Sequence, residues 1–303
     1  INPPLGAQAA GDQPAPGRGF AVVAMDSGHK GAGFDGSFLA DQQATLNFLY
    51  QAVGKVTPVA KRLVAQYYGS APRKSYFVGC STGGREAMIT TQRYPDEFDG
   101  VVSGAPAMRT NYSNLSVRWV TASLNAAAPK DAAGNAITNQ ALSPADRRTV
   151  VDGLLAACDG LDGAKDGLLF ATRSCRFDPK VLVCQGAKRD GCLSAAQADA
   201  VARAFAGPHT RAGNAPYPGF PYDTGIAASG AGIPGLLSGG TNPEGSSPKG
   251  ATMDVDAEAA AAHDGRSMAG DTNAWTNLSG FTGRGGKLLF FHGVSDPWFS
   301  ALD

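Results

Sequence analysis

Ser75-Tyr-Phe-Val-Gly-Cys-Ser-Thr-Gly-Gly84 is the stretch whose reading decides the fold. Tyr76, Phe77 and Val78 are β-prone, Gly79-Cys80-Ser81-Thr82-Gly83 follows, and a helical pattern starts at Arg85. This is Gly-x-Ser-x-Gly in the context that gives it meaning, a strand, a sharp turn and a helix. The serine of such a turn sits on strained backbone, and glycines on both flanks avoid the collisions that larger neighbours would make. The turn lifts the Ser81 hydroxyl above the end of the sheet and aims the Thr82 N–H at a developing oxyanion. A plain Ser/Gly turn is the competing reading, because both residues are abundant here; the strand before and the helix after favour a nucleophile elbow.

Upstream, Gly19-Phe-Ala-Val-Val-Ala-Met25 is a continuous apolar run, the pattern of a parallel strand buried on both faces. It ends in Asp26-Ser-Gly-His29, polar residues at the strand end where open α/β sheets bind ligands. His29 is read as a hydrogen-bonded structural histidine bracing those loops rather than a catalytic one. Leu46, Leu49, Tyr50 and Val53 recur at helical spacing. Thr57-Pro58 reads as the start of a second helix, with Val59, Leu63, Val64 and Tyr67 on its apolar face and Gly69 at its end. Downstream, the elbow helix is expected to reach Tyr94, followed by a strand over 100–104 and then Ala105-Pro106. Alternating strands and helices imply an α/β class with a parallel sheet and right-handed crossovers.

The pattern changes near Arg109. Amphipathic helices are expected over 144–157 and 194–205, between Gly-, Pro- and Ser-rich segments of which 212–248 is the longest. Apolar Lys287-Leu-Leu-Phe-Phe291 then resumes the sheet and leads into His292-Gly-Val-Ser-Asp296. The expected division is a core over 1–108, an inserted lid over 109–280 and the core again over 281–303, with 1–18 as a loop.

The 26 basic and 26 acidic side chains balance, and no basic block occurs, which argues against nucleic acid or an anionic membrane as partner. The apolar runs are too short to span a bilayer. The chain starts with neither a methionine nor a signal peptide, so it is expected to be processed or cut from something longer. Of the five cysteines, four lie in the window 158–192. No Cys-x-x-Cys pair or Cys/His cluster suggests zinc. Two disulfides fit better and imply an oxidising compartment, secreted or periplasmic. Three pairings are possible, and the sequential one, Cys158–Cys175 with Cys184–Cys192, is favoured. Cys80, beside the candidate nucleophile, is then free or paired outside this chain.

A serine nucleophile needs a base and a group to orient it, and in α/β-hydrolases the chain order is Ser, Asp or Glu, His. Asp296 fits the second place, in a turn after a late strand; the alternative is a capping aspartate before Pro297. No histidine follows it. His292 belongs to the strand end, and His209 and His263 read as solvated surface. Between Cys158 and Leu168, three aspartates with interleaved glycines suit a hard cation with oxygen ligands. Asp159, Asp162 and Asp166, with the carbonyls of Ala164 and Leu168, would supply most of a Ca²⁺ shell. The alternative is a solvated acidic turn.

Together these pieces resemble the tannase and feruloyl esterase family of secreted α/β-hydrolases, which includes mono(2-hydroxyethyl) terephthalate hydrolase. The resemblance is carried by Arg18-Gly-Phe-Ala-Val-Val with Asp26-Ser-Gly-His29, Gly79-Cys-Ser-Thr-Gly-Gly-Arg85, Tyr94-Pro-Asp-Glu-Phe-Asp-Gly100, Ala105-Pro106, the segment from Cys158 to Leu168, Cys192-Leu-Ser-Ala-Ala-Gln197, and Gly285-Gly-Lys-Leu288 with His292-Gly and Asp296. It implies an α/β-hydrolase core with an inserted lid, Ser81 as nucleophile, Thr82 as oxyanion donor and Asp296 as triad acid. It also implies a structural Ca²⁺ on Asp159, Asp162, Ala164, Asp166 and Leu168, the same lid disulfides, and a bond from Cys80 to a cysteine beside the catalytic histidine. Phe299 stands where the family places an aromatic against the acyl ring, with Trp298 adjoining; ordinary packing is the alternative for both. The His-Cys segment and the Gly-rich stretch that gives the second oxyanion donor are absent, so the chain is expected to be truncated at both ends and inactive by itself. The expected activity of the parent is hydrolysis of small aromatic esters of feruloyl or galloyl type. A terephthalate-monoester hydrolase and a non-catalytic calcium-stapled binding module on the same fold are the alternatives.

Overall fold

Tyr76–Cys80 (β1), Gly100–Gly104 (β2) and Lys287–Phe291 (β3) pair into one parallel sheet with β2 in the middle. Phe77 stands opposite Val101, and Val101 opposite Leu288. Parallel neighbours need a crossover, and α3 (Thr82–Arg93) supplies it between β1 and β2. The α/β class expected from the sequence is the observed one, with all three of these strands at the expected residues. The computed structural model describes residues 14–31, 35–227, 229, 230, 233–238 and 248–303. Parts of the expected loop over 1–18 and of the stretch 212–248 lie outside them.

The chain folds as two compact units, Ile1–Arg109 with Gly265–Phe291, and Thr110–Asp264 with His292–Asp303. The division expected from sequence differs at 265–280, placed there with the insertion, and at 292–303, placed there with the core.

In the first unit, Val53, Ala87, Phe98, Val101 and Phe281 form the buried core. Two expectations fail here. The run 19–25 is not a strand; it joins no ladder among the described residues, and Phe20 and Val23 are exposed. The Phe20 ring sits edge-on to Tyr76 at 6.2 Å. An apolar run becomes a strand only where a neighbouring backbone completes its hydrogen bonds, and neither β1 nor β3 does so for this one. Nor does Thr57-Pro58 open a helix. One helical run starts at Asp41, whose carboxylate accepts the Ala44 N–H at 2.6 Å, and continues through α1 (Gln42–Leu46), a π-turn (Asn47–Gln51) and α2 (Ala52–Tyr68). Pro58 lies inside α2, where its missing N–H removes one helical bond without ending the helix. Gly69, at φ +72°, closes α2 as expected.

The π-turn has a structural use. Arg85 of α3 is 1% exposed and donates to the carbonyls of Leu49 at 2.6 Å and Phe48 at 2.8 Å. Its guanidinium also lies 4.9 Å over the Phe48 ring. One buried side chain thus fastens the helix after the elbow to the helix before it, and leaves none of its charge unsatisfied by a carbonyl or a ring.

The second unit is helical: α4 (Thr110–Asn125), α5 (Pro144–Cys158), α6 (Ala195–Ala206) and α7 (Val255–Ala262), with a two-residue antiparallel pair at Ser229–Gly230 and Ile233–Pro234. α5 and α6 start where the sequence placed them because each carries a capping box, Ser143 with Asp146 and Ser194 with Gln197. Leu124, Val150, Leu154, Leu193, Val201 and Phe205 are buried against one another. The cysteines pair sequentially, Cys158 with Cys175 and Cys184 with Cys192, at Cα separations of 5.4 and 5.1 Å. Among the described residues no helix is long and apolar enough to cross a membrane.

Candidate active site

β1 delivers Ser81 to the turn and α3 carries the chain away from it. Ser81 has φ +61° and ψ −122°, a left-handed backbone that a non-glycine residue rarely adopts. The strain is held by hydrogen bonds on both sides of the residue. The Ser81 N–H donates to the Gly104 carbonyl at 3.0 Å, and the Ser81 carbonyl accepts from Arg85 at 3.0 Å and Ala107 at 3.2 Å. Since the Arg85 N–H makes the first helical bond, the N–H groups of Thr82, Gly83 and Gly84 have no partner within α3. They form the positive end of the helix, beside the serine.

The glycines around Ser81 are not equivalent. A Cβ on Gly79 would overlap the Gly83 carbonyl, and one on Gly84 would overlap the Gly104 carbonyl and press on Pro106. A Cβ on Gly83 would meet nothing. The motif glycine after the serine is therefore not needed for clearance, and Gly84, one residue further on, is. β2 makes room in the same way, as a Cβ on Gly104 would enter the Phe291 ring. Cys80 is free and exposed.

Neighbouring residues that the sequence reading left aside complete this end of the first unit. Ser27, also at positive φ, donates its hydroxyl to Glu86 at 2.9 Å. Burial pushes the Glu86 carboxyl pKa up, against the pull of Arg85 and of the Ser27 bond. The signal in the sequence is the charged pair Arg85-Glu86 directly after Gly83-Gly84. His29 stacks on Phe38 at 3.8 Å and meets Phe48 edge-on at 5.6 Å. The ring packing suits a bracing residue, but Nδ1 is buried without a hydrogen-bond partner among the described residues, so the expected hydrogen-bonded histidine is not what is found.

Asp296 lies in the second unit, in the turn after β3. Its Oδ1 accepts the N–H groups of Trp298 at 2.9 Å and Phe299 at 3.0 Å, which leaves Oδ2 directed elsewhere. Oδ2 is 3.7 Å from His292 Nε2, and the same nitrogen lies 2.7 Å from the Phe299 carbonyl. The structure thus brings Asp296, Trp298, Phe299 and His292 into one turn. The Trp298 and Phe299 rings are half-buried, 6.4 Å apart and inclined by 68°. His209 and His263 are exposed as expected, with local partners in the Gly207 carbonyl and the Tyr112 hydroxyl.

In the acidic loop the carboxylates serve the backbone. Asp162 accepts from Ala164 at 3.0 Å on one oxygen and Phe170 at 3.0 Å on the other, which holds its carboxyl below the usual range. Asp159 accepts from Gly167 and Asp166 from Leu168, both at 3.1 Å. Among the described residues no three acidic, histidine or cysteine side chains converge on one point. Each of the three carboxylates is thus engaged by the loop's own backbone N–H groups.

A family model described as tannase and feruloyl esterase matches residues 5–252. The mono(2-hydroxyethyl) terephthalate hydrolase of Piscinibacter sakaiensis is 35% identical, over 94% of this chain and 57% of that protein. A probable feruloyl esterase B-2 of Aspergillus terreus is 32% identical, over 94% of this chain and 53% of that protein. The crystal structure of feruloyl esterase B from Aspergillus oryzae superposes with a TM-score of 0.70 at 28% identity, covering 95% of this chain and 57% of that one. The chain thus spans little more than half the length of the relatives it matches.

The glycine geometry has a direct test. Gly79→Ala and Gly84→Ala should each destabilise the first unit by about 1–3 kcal/mol, the usual cost of overpacking, while Gly83→Ala should be near neutral in urea denaturation. Equal losses at all three positions would contradict the clearances described.

Proposed function

The chain belongs to the tannase and feruloyl esterase family, and from that premise we propose that the whole protein is a serine hydrolase of small aromatic esters. The observation that carries the proposal is the Ser81 backbone: a positive-φ serine between a strand and a helix N-terminus, with N–H groups beside it that have no partner within the helix. Ser81 would attack the ester carbonyl, and the Thr82 N–H would stabilise the oxyanion as the acyl-enzyme forms. The alcohol leaves, and water hydrolyses the acyl group. Asp296 would orient the base through the oxygen that its own turn leaves free. The base is taken to be a histidine outside these 303 residues, tied to the elbow through a Cys80 disulfide as the family resemblance implies. His292 is not given that role, because its Nε2 is occupied by the carbonyl of its own turn.

The relatives' names support an aromatic acyl group, since terephthalate and ferulate are both aromatic acids. Phe299 and Trp298 are the side chains assigned to its ring. Two short-loop disulfides support a secreted or periplasmic protein. The balanced charge supports small molecules rather than nucleic acid as partners. Calcium in the loop with Asp159, Asp162, Ala164, Asp166 and Leu168 remains a proposal on spacing; each Asp162 oxygen accepts one N–H and keeps a lone pair for a cation. No step of the reaction runs through the ion.

In the full-length protein Ser81→Ala should abolish ester hydrolysis. Asp296→Asn should lower kcat by about 10⁴-fold with the fold intact, because an amide favours the wrong histidine tautomer. Steady-state kinetics with circular dichroism decide it, and near-wild-type turnover by either variant contradicts the assignment.

For calcium, chelator should lower the melting temperature, by the equivalent of about 2.7 kcal/mol if the ion stands at a hundredfold excess over Kd. Asp162→Ala should remove that sensitivity. A chelator-insensitive wild type rules the site out.

A further inference from the structure

The turn that carries Asp296 is gripped on both sides by one segment of the second unit, residues 217–225. On one side Asp223, 5% exposed, accepts the Ser295 hydroxyl and the Gly225 N–H on the same oxygen, the latter at 2.7 Å. Its other oxygen is buried and has no hydrogen-bond partner among the described residues. A Cβ on Gly225 would overlap the Ser295 side chain, so the absence of a side chain at Gly225 makes room for that hydroxyl. On the other side Ser300, 3% exposed, donates its N–H to the Tyr217 hydroxyl at 3.1 Å and its own hydroxyl to the Gly219 carbonyl. Tyr217 is 1% exposed.

Ser295 and Ser300 bracket Asp296. Inside the bracket Asp296 Oδ1 is fixed by two N–H groups of its own turn, so the direction of Oδ2 follows the tilt of the turn as a whole. A turn held at one end can rock, whereas one held at both ends cannot. Hydrogen bonds weaken steeply with misalignment, so a small tilt would change how the carboxylate meets an imidazole.

We infer that Tyr217 and Asp223 are positioning residues for the triad acid, acting through Ser300 and Ser295 to set the direction of the Asp296 carboxylate. The inference rests on the reading of Asp296 as that acid. It gives the segment 217–225 an indirect part in setting the acid, through the residues on either side of it. The contacts join positions more than seventy residues apart in the chain, so no local motif announces them.

The test is steady-state kinetics of the full-length protein on p-nitrophenyl acetate, an activated ester with no aromatic acyl group to bind. Tyr217→Phe, Ser295→Ala and Asp223→Asn should each lower kcat by on the order of tenfold to a hundredfold, as for a reacting group displaced by about 1 Å, with KM unchanged. In an Asp296→Asn background the same changes should have no further effect. If Asp223→Asn fails to fold, the other two variants, each lacking one hydroxyl, carry the test. Wild-type kcat in these variants while Asp296→Asn is inactive overturns the inference alone. The same fold-loss in both backgrounds also overturns it, because the residues would then act on something other than Asp296. Near-wild-type turnover by Asp296→Asn overturns the acid reading and the inference with it.

Discussion

Everything at the sheet end of the first unit depends on holding Ser81 at a positive φ. A non-glycine residue in that conformation costs of order 1–3 kcal/mol and persists only where its surroundings over-determine it. Here they do. The Ser81 N–H is tied to β2 through Gly104, and its carbonyl is tied forward to Arg85 and sideways to Ala107. Gly79 and Gly84 let the backbones close on the turn without a side chain between them. Arg85 then locks α3 to the π-turn of the preceding helix. Relaxing the serine to an ordinary conformation would break contacts in β2, α3 and the helical run before β1 at once.

The second unit carries its own constraint. Asp296 uses one carboxylate oxygen to close its turn, and Asp223 and Tyr217 grip the residues on either side. The two devices share a physical logic: a strained or tightly turned backbone is fixed by several hydrogen bonds, which hold one functional side chain in place. Buried groups of this kind are costly when broken singly, because each leaves a partner unsatisfied.

The legible parts of the fold were those with strictly local signals. β1 and β2 were readable because apolar residues run into glycines at a fixed frame, and β3 because four unbroken apolar residues, Leu288 to Phe291, follow Gly285-Gly286-Lys287. α5 and α6 were readable from their amphipathic spacing, and each proves to start on a four-residue capping box. The failures come from pairing and context. The run 19–25 has strand composition, but a strand is a property of two segments, and none of the described residues pairs with this one. Thr57-Pro58 has the residue types of a helix start, yet the preceding π-turn carries the helix through it. At the site, the frame of Gly79 to Gly84 was visible, but the sequence could not tell that Gly84 is crowded and Gly83 is not. The proximity of His292 to Asp296, and the grip of 217–225 on the acid turn, depend on side-chain reach across a folded chain and leave no periodic trace.

The central claim is that Ser81 is the nucleophile. The most direct measurement is to treat the full-length protein with an aryl phosphonate that phosphonylates activated serines, and to map the adduct by peptide mass spectrometry. The account predicts a single stoichiometric adduct on Ser81, lost in Asp296→Asn on the same timescale. An adduct on another residue, or ester hydrolysis that survives with Ser81 unmodified, would contradict it.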